Sequence, residues 1–221
     1  MSKYIIACSK KWFLKNSKRK FNKNFFFIEK KSQLNLNFLK KFNPKFIFFP
    51  HWSHIIPSKI FNKYNCILFH TSNLPYGRGG SPIQNLIKRK IYSSYICSFK
   101  ADKILDAGPI YCKEKISLKG DLNNIFKNLS VKITKMIFFI IEKKPIPKKQ
   151  FGKIINFKRL NEKDSKIKKN ENMIDIYDKI RMLDNEDYPR AFIEYGKYKI
   201  LFSLAKKNNN QIISQVEIKK K

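Results

Sequence analysis

Apolar positions along this 221-residue chain come mostly in short continuous runs rather than in alternation. KYIIACS (3–9), FFFIE (25–29), KFIFFP (45–50) and CILFH (66–70) are each of strand length and apolar at consecutive positions, so both faces of such strands have to be buried. Between the second and third runs, Leu34, Leu36, Phe38, Leu39 and Phe42 fit a short helix that Asn43-Pro44 ends. Within IIPSKIFNKY, Pro57 and Ser58 can open another. A strand–helix–strand rhythm built on continuous runs implies an α/β fold with a mostly parallel sheet covered on both faces. Ligands in such sheets bind beyond the carboxyl ends of the strands, and His70 lies at one of those ends.

Downstream, SPIQNLIKRK (81–90) predicts a helix with Ser81 as N-cap and Pro82 at its first position. SSYICSFKA (93–101) predicts a strand, and the segment after ILDAGP predicts another. Over 120–144 the spacing becomes helical, with Ile125, Leu129, Ile133, Met136 and Ile140 on one face that suits a protein core better than a membrane. Residues 145–172 are Lys-rich and read as a linker, which gives a catalytic domain over 1–144 and a small helix-and-strand appendage over 173–221. In the appendage, 173–192 predicts a helix stopped before Pro189, and 197–205 and 211–218 predict a hairpin turning at KKNNN.

Composition alters this picture little. The formal charge of +32, from 48 Lys and Arg against 16 Asp and Glu, would ordinarily point to nucleic acid. The excess is almost all Lys, scattered in pairs, and accompanies abundant Ile, Asn and Phe, so a solvated Lys-coated surface is the plainer reading. Cys8, Cys66, Cys97 and Cys112 show no metal spacing and read as reduced thiols, three of them within apolar runs; no metal site is expected. YIIAC is far shorter than a signal-peptide core, and MIFFII (136–141) falls well short of the roughly 20 residues that span a bilayer. A cytoplasmic protein without membrane insertion is expected.

The most informative stretch is CILFHTSNLPYGRGGSP (66–82), where an apolar strand delivers a His and a Leu-Pro stop leads into an Arg-Gly-Gly turn. A His after an apolar run is by itself an ordinary structural residue, and Asp106 before Ala-Gly-Pro is an ordinary turn residue. Together, His70, Ser72, Leu74, Pro75, Arg78, Gly79 and Pro82 resemble the signature of the folate-dependent formyltransferases, in register. ILDAGPIY (104–111) resembles that family's Leu-Asp-x-Gly block, and HWSHIIP (51–57) its apolar turn ending in Pro. IYDKIRMLDNEDYPRAF resembles the helix and Pro-Ala turn that opens the family's carboxyl-terminal domain, of which 173–221 reads as a truncated form.

The resemblance implies a Rossmann-like catalytic domain, 10-formyl-tetrahydrofolate as formyl donor, His70 and Asp106 as catalytic residues, and folate contacts from His51, Trp52, Ser53, Ile55, Arg78 and Gly79. Formyl transfer to an amine passes through a tetrahedral intermediate, so it needs a base for the amine proton and a donor for the oxyanion. An imidazole oriented by a carboxylate suits the first task. Where the family signature carries Asn, this chain has Leu68, which cannot donate; Asn73 or a backbone N–H is expected to take that place. The acceptor is expected to be the amine of a nucleotide-linked amino sugar. The alternatives are methionyl-tRNA, or a non-catalytic folate-binding protein.

Overall fold

The computed structural model describes residues 3–221, which pack as two compact units. The first is the chain up to Gly79 together with Ser94–Ile116 and Phe126–Asn156; the second is Gly80–Ser93, Ser117–Ile125 and Phe157–Lys221.

The first unit is built on a sheet of β1 (Tyr4–Ala7), β2 (Phe25–Ile28), β3 (Phe46–Pro50), β4 (Cys66–His70), β6 (Ser93–Lys100) and β7 (Ile110–Ser117), in the order β2-β1-β3-β4-β6-β7. β1 runs parallel to β2 and β3, and β3 parallel to β4; β6 is antiparallel to β4. The mostly parallel α/β sheet expected from the apolar runs is the one observed. Neighbouring residues such as Ile5 and Ile6, or Ile47 and Phe48, are fully buried, so both faces are covered. On one face, α2 (Leu36–Phe42) and α3 (Ser58–Phe61) bring Leu39 and Ile60 against Ile5, Ile47, Phe49 and Cys66. Each such side chain contributes about 1.5–3 kcal/mol on full burial.

Local chemistry sets the ends of α2. The Asn35 side chain accepts the Phe38 N–H at 2.9 Å, and Asn43 takes the left-handed conformation (φ 50°) just before Pro44. α1 (Lys11–Ser17) contributes Trp12, whose ring stacks on Phe126 with centroids 4.2 Å apart. In α5 (Leu122–Lys143), Ile125, Leu129, Ile133, Met136 and Ile140 are all buried, as their spacing predicts. Among the described residues, no helix is long and apolar enough to cross a membrane.

The second unit contains α4 (Pro82–Lys88), α6 (Met173–Arg181) and an antiparallel sheet of β9 (Phe192–Tyr195), β10 (Tyr198–Lys207) and β11 (Ile212–Lys220), with β10 in the middle. Buried Arg181 donates to the Leu118 and Gly120 carbonyls and to Asp178, which also accepts from Tyr92 and Lys90. A buried charge so completely bonded is tolerable, whereas removing one partner would leave the others uncompensated.

Several local expectations change. Ser81 sits at the N-cap position of α4 but is left-handed (φ 48°), and its side chain does not cap; Ser81 Oγ instead accepts the Leu160 N–H at 3.1 Å. α6 ends at Arg181, and the chain then turns, so Pro189 is not what stops it. α1, β9 and the short strands β5 (Tyr76–Gly79) and β8 (Ile155–Phe157) add to the predicted elements. β8 and a 3-10 turn at Glu162–Ser165 lie within the Lys-rich 145–172 stretch.

Candidate active site

The parallel strands β1, β3 and β4 end at the same edge of the sheet, where a ligand of this architecture binds. Beyond these ends stand Ser9, His51 and, as the last residue of β4, His70. The His70 side chain is buried, with both ring nitrogens facing acceptors. Nε2 lies 2.7 Å from the Gly77 carbonyl, which can only accept, so Nε2 carries the proton in that bond. Nδ1 lies 3.7 Å from Asp106 Oδ2, an ion-pair separation rather than a hydrogen bond.

Asp106 is in the left-handed region (φ 52°), and its Oδ2 also accepts the Gly79 N–H at 2.9 Å. One carboxylate therefore addresses both the imidazole at the end of β4 and the turn that follows it. Gly77 (φ 82°) and Gly79 (φ 105°) hold conformations that side-chain-bearing residues rarely adopt. Gly80 is required for a different reason: a Cβ there would come within 2.6 Å of Arg159 Cα.

Arg78 does not project freely. Its Nε and Nη2 donate to Gln150 Oε1 at 3.1 and 2.7 Å, and Gln150 Nε2 donates to the carbonyls of Asp106 (2.8 Å) and Gly108 (2.9 Å). Gln150 is absent from the sequence-based expectations, because a polar residue in a Lys-rich stretch carries no local signal. The structure thus gathers His70, Asp106, Arg78 and Gly79 into one connected network. Asn73 stands outside it: exposed, with its Oδ1 accepting from Lys113 Nζ at 2.7 Å.

The 51–57 turn makes its own arrangement. His51 is left-handed (φ 55°) and its ring meets Trp12 edge-on, with centroids 4.6 Å apart. Burial, followed by the charges of His70 and Lys10, pushes the His51 pKa down to about 3, so its ring is neutral at ordinary pH. Ser9 Oγ ties the turn down by donating to the His51 carbonyl (3.2 Å) and accepting the Ser53 N–H (3.0 Å). Trp52 packs edge-on against Phe49 and His54. Ile55 is 89% exposed; its neighbour Ile56 is the residue buried in the core. His51 Nε2, Trp52 Nε1 and Thr71 Oγ1 are buried polar atoms that meet no hydrogen-bond partner among the described residues.

Leu68 leaves β4 on the same face as His70 and, half-buried, packs against the cluster of Leu74, Cys97 and Phe99. Burial raises the thiols of Cys66 and Cys97 to about 12 and about 11, which removes them as nucleophiles near neutral pH. All four cysteines are free, and among the described residues no group of three His, Cys, Asp or Glu residues could hold a metal ion.

An imidazole, a carboxylate facing it and a glycine turn thus stand together at a parallel sheet edge. Residues 162–219 match the family described as methionyl-tRNA formyltransferase, C-terminal domain. A solved structure described as methionyl-tRNA formyltransferase from Clostridium thermocellum is 43% identical, with a TM-score of 0.97 and 100% of both chains covered. The chain belongs to the folate-dependent formyltransferase family. A curated methionyl-tRNA formyltransferase of Campylobacter lari is 31% identical over 82% of this chain and 61% of its own length; one of Campylobacter jejuni is 29% identical, over 72% and 52%. The chain therefore spans between about half and three-fifths of the curated relatives it matches. A likely sugar N-formyltransferase from Mycobacterium tuberculosis shares the fold at 13% identity, with a TM-score of 0.73 and 96% of this chain and 100% of its own covered.

Proposed function

We propose that this protein transfers a formyl group from 10-formyl-tetrahydrofolate to the amine of methionyl-tRNA. The observation that carries the acceptor is the 43% identity over the whole chain to a protein described as methionyl-tRNA formyltransferase. The amino-sugar acceptor expected from the sequence rests on neighbours at 13–16% identity, a likeness that speaks for the fold alone.

His70 takes the proton from the attacking amine and returns one to the departing folate nitrogen as the tetrahedral intermediate collapses. Asp106 orients the ring and stabilises its charged form. When substrate arrives the Nε2 bond to Gly77 opens and the ring proton passes to Nδ1, which faces Asp106, leaving Nε2 as the nitrogen that accepts the amine proton. The unpartnered His51 Nε2 and Trp52 Nε1 suit the donors and acceptors of a pterin, and Ser53, Ile55 and Gly79 are the further residues we assign to folate contact. Arg78, with its guanidinium engaged by Gln150, braces the turn. Asn73 keeps its amide hydrogens to offer the oxyanion, its oxygen being committed to Lys113.

The test is formylation with purified protein, the folate donor, and either methionyl-tRNA or nucleotide-linked amino sugars as acceptor. Methionyl-tRNA is expected to be formylated, and His70→Ala to lower kcat by at least about 10² with folate binding retained. Turnover of the amino sugar alone would transfer the reading to that acceptor. Folate binding without turnover of either would make the protein a folate binder.

A further inference from the structure

Gln150 divides its hydrogen-bonding capacity between the Asp106 turn and Arg78 in the glycine turn. Its two amide hydrogens go to the carbonyls of Asp106 and Gly108, and its oxygen accepts two charge-assisted bonds from Arg78. The amide has only one workable orientation, since a flipped side chain would set an NH2 against the guanidinium and an oxygen against two carbonyls. Asp106 is held in the left-handed backbone region, uncommon for non-glycine residues though less costly for Asp and Asn than for others. In that conformation Oδ2 reaches both His70 Nδ1 (3.7 Å) and the Gly79 N–H (2.9 Å).

We infer that Gln150 is a positioning residue: by spanning the carbonyls of Asp106 and Gly108 it holds Asp106 in its left-handed conformation and so aims the carboxylate at His70. Arg78 is the other arm of the same clamp, tying the glycine turn after β4 to the Asp106 turn through one amide oxygen. Two residues before Gln150, Lys148 exchanges backbone N–H···O bonds with Ile110 (2.7 and 2.9 Å), which lays this segment beside the turn, and the Gln150 side chain carries the attachment on to Asp106 and Gly108. Freed from Gln150, the turn is expected to relax out of the left-handed region and carry the carboxylate away from the ring.

The inference rests on the proposed formyl transfer for its kinetic consequence, and the test has an arm that does not. Wild type, Gln150→Ala, Gln150→Glu, Asp106→Asn and the Asp106→Asn/Gln150→Ala double variant are compared by steady-state kinetics and by the imidazole 15N signals of His70. Gln150→Ala should lower kcat by about 10- to 10²-fold with the KM for folate little changed, as misplaced catalytic groups do. In the Asp106→Asn background it should add nothing, because it acts through that carboxylate. Gln150→Glu, nearly isosteric, still accepts from Arg78 but offers the carbonyls no hydrogens, and should fail likewise. The His70 signals of both Gln150 variants should move to those of Asp106→Asn. A wild-type rate in Gln150→Glu, a fully additive loss in the double variant, or wild-type His70 signals in Gln150→Ala would overturn the inference. Absence of formyl transfer in the wild type would sink the function proposal alone, and the His70 signals would still decide the role of Gln150.

Discussion

Leu68 and His70 leave β4 on the same face, one in an apolar cluster and the other at the reacting edge. Leu68 supplies packing where the family signature supplies a donor. Leu68→Asn is expected to raise the formylation rate less than about tenfold and to lower stability by about 1 kcal/mol, because the half-buried side chain would exchange its apolar packing against Leu74, Cys97 and Phe99 for an amide. Initial rates and thermal melts of the same preparation measure both; a gain near 10² would mean that the oxyanion has no donor in the native protein. His51 makes a prediction of a different kind. Its pKa is about 3 in the folded state and about 6.5 when unfolded, so the unfolded chain binds the extra proton between those values. The stabilisation from a neutral His51 is complete above about pH 6.5 and is lost as pH falls toward 3. His51→Phe should flatten the fall of stability across this window, as read from urea midpoints at successive pH values; parallel curves would contradict it.

At the scale of elements, the site depends on turns more than on strands. A Cβ at Gly108 would lie 1.7 Å from the Lys100 carbonyl oxygen of β6, a backbone atom with no room to yield. Gly108→Ala should therefore cost about 3 kcal/mol or more, while Gly196→Ala, which meets nothing within 4 Å but has φ 52°, should cost about 1–2 kcal/mol. Urea unfolding compares the two, and equal losses would refute the steric account. These turns also mark where sequence reading stops. Continuous apolar runs made β1, β3 and β4 legible, since burial on both faces leaves few polar positions; β2, at the sheet edge with Phe26 exposed, was legible from its run of Phe alone, and 3.6-residue spacing made α5 legible. His70, Asp106 and Gly79 were legible because their neighbours form a recognisable signature. β5 was not, because Tyr-Gly-Arg-Gly has no apolar run, nor was α1, whose seven residues bury only Trp12, Phe13 and Ser17. Gln150 works solely through partners 42 to 72 positions away, which no local window contains. Ser81 had the residue type of an N-cap, yet its backbone was claimed by the glycine turn before it and its hydroxyl by Leu160.

At the scale of the molecule, the charge of +32 bears on the acceptor through binding rather than through chemistry. A Lys-rich surface attracts any polyanion by releasing its counterions, so initiator, elongator and unrelated RNA gain alike at low salt. Contacts of that sort hold substrate and transition state equally, and therefore enter KM rather than kcat. Raising salt from 50 to 200 mM should lower kcat/KM for methionyl-tRNA by about 10² or more, almost entirely through KM, while competing RNA loses its power to inhibit. A nucleotide-linked amino sugar carries too few phosphates for so steep a dependence, so any kcat/KM it shows should change little over the same range. If methionyl-tRNA is the acceptor, kcat measured at saturation stays constant between the two salt conditions and exceeds that of the amino sugar in both. A kcat that falls with salt would mean that phosphate contacts are made in the transition state itself. Formylation of the amino sugar at 200 mM salt, with methionyl-tRNA inert even at saturation, would reduce the RNA affinity to a property of surface charge and overturn the proposed acceptor.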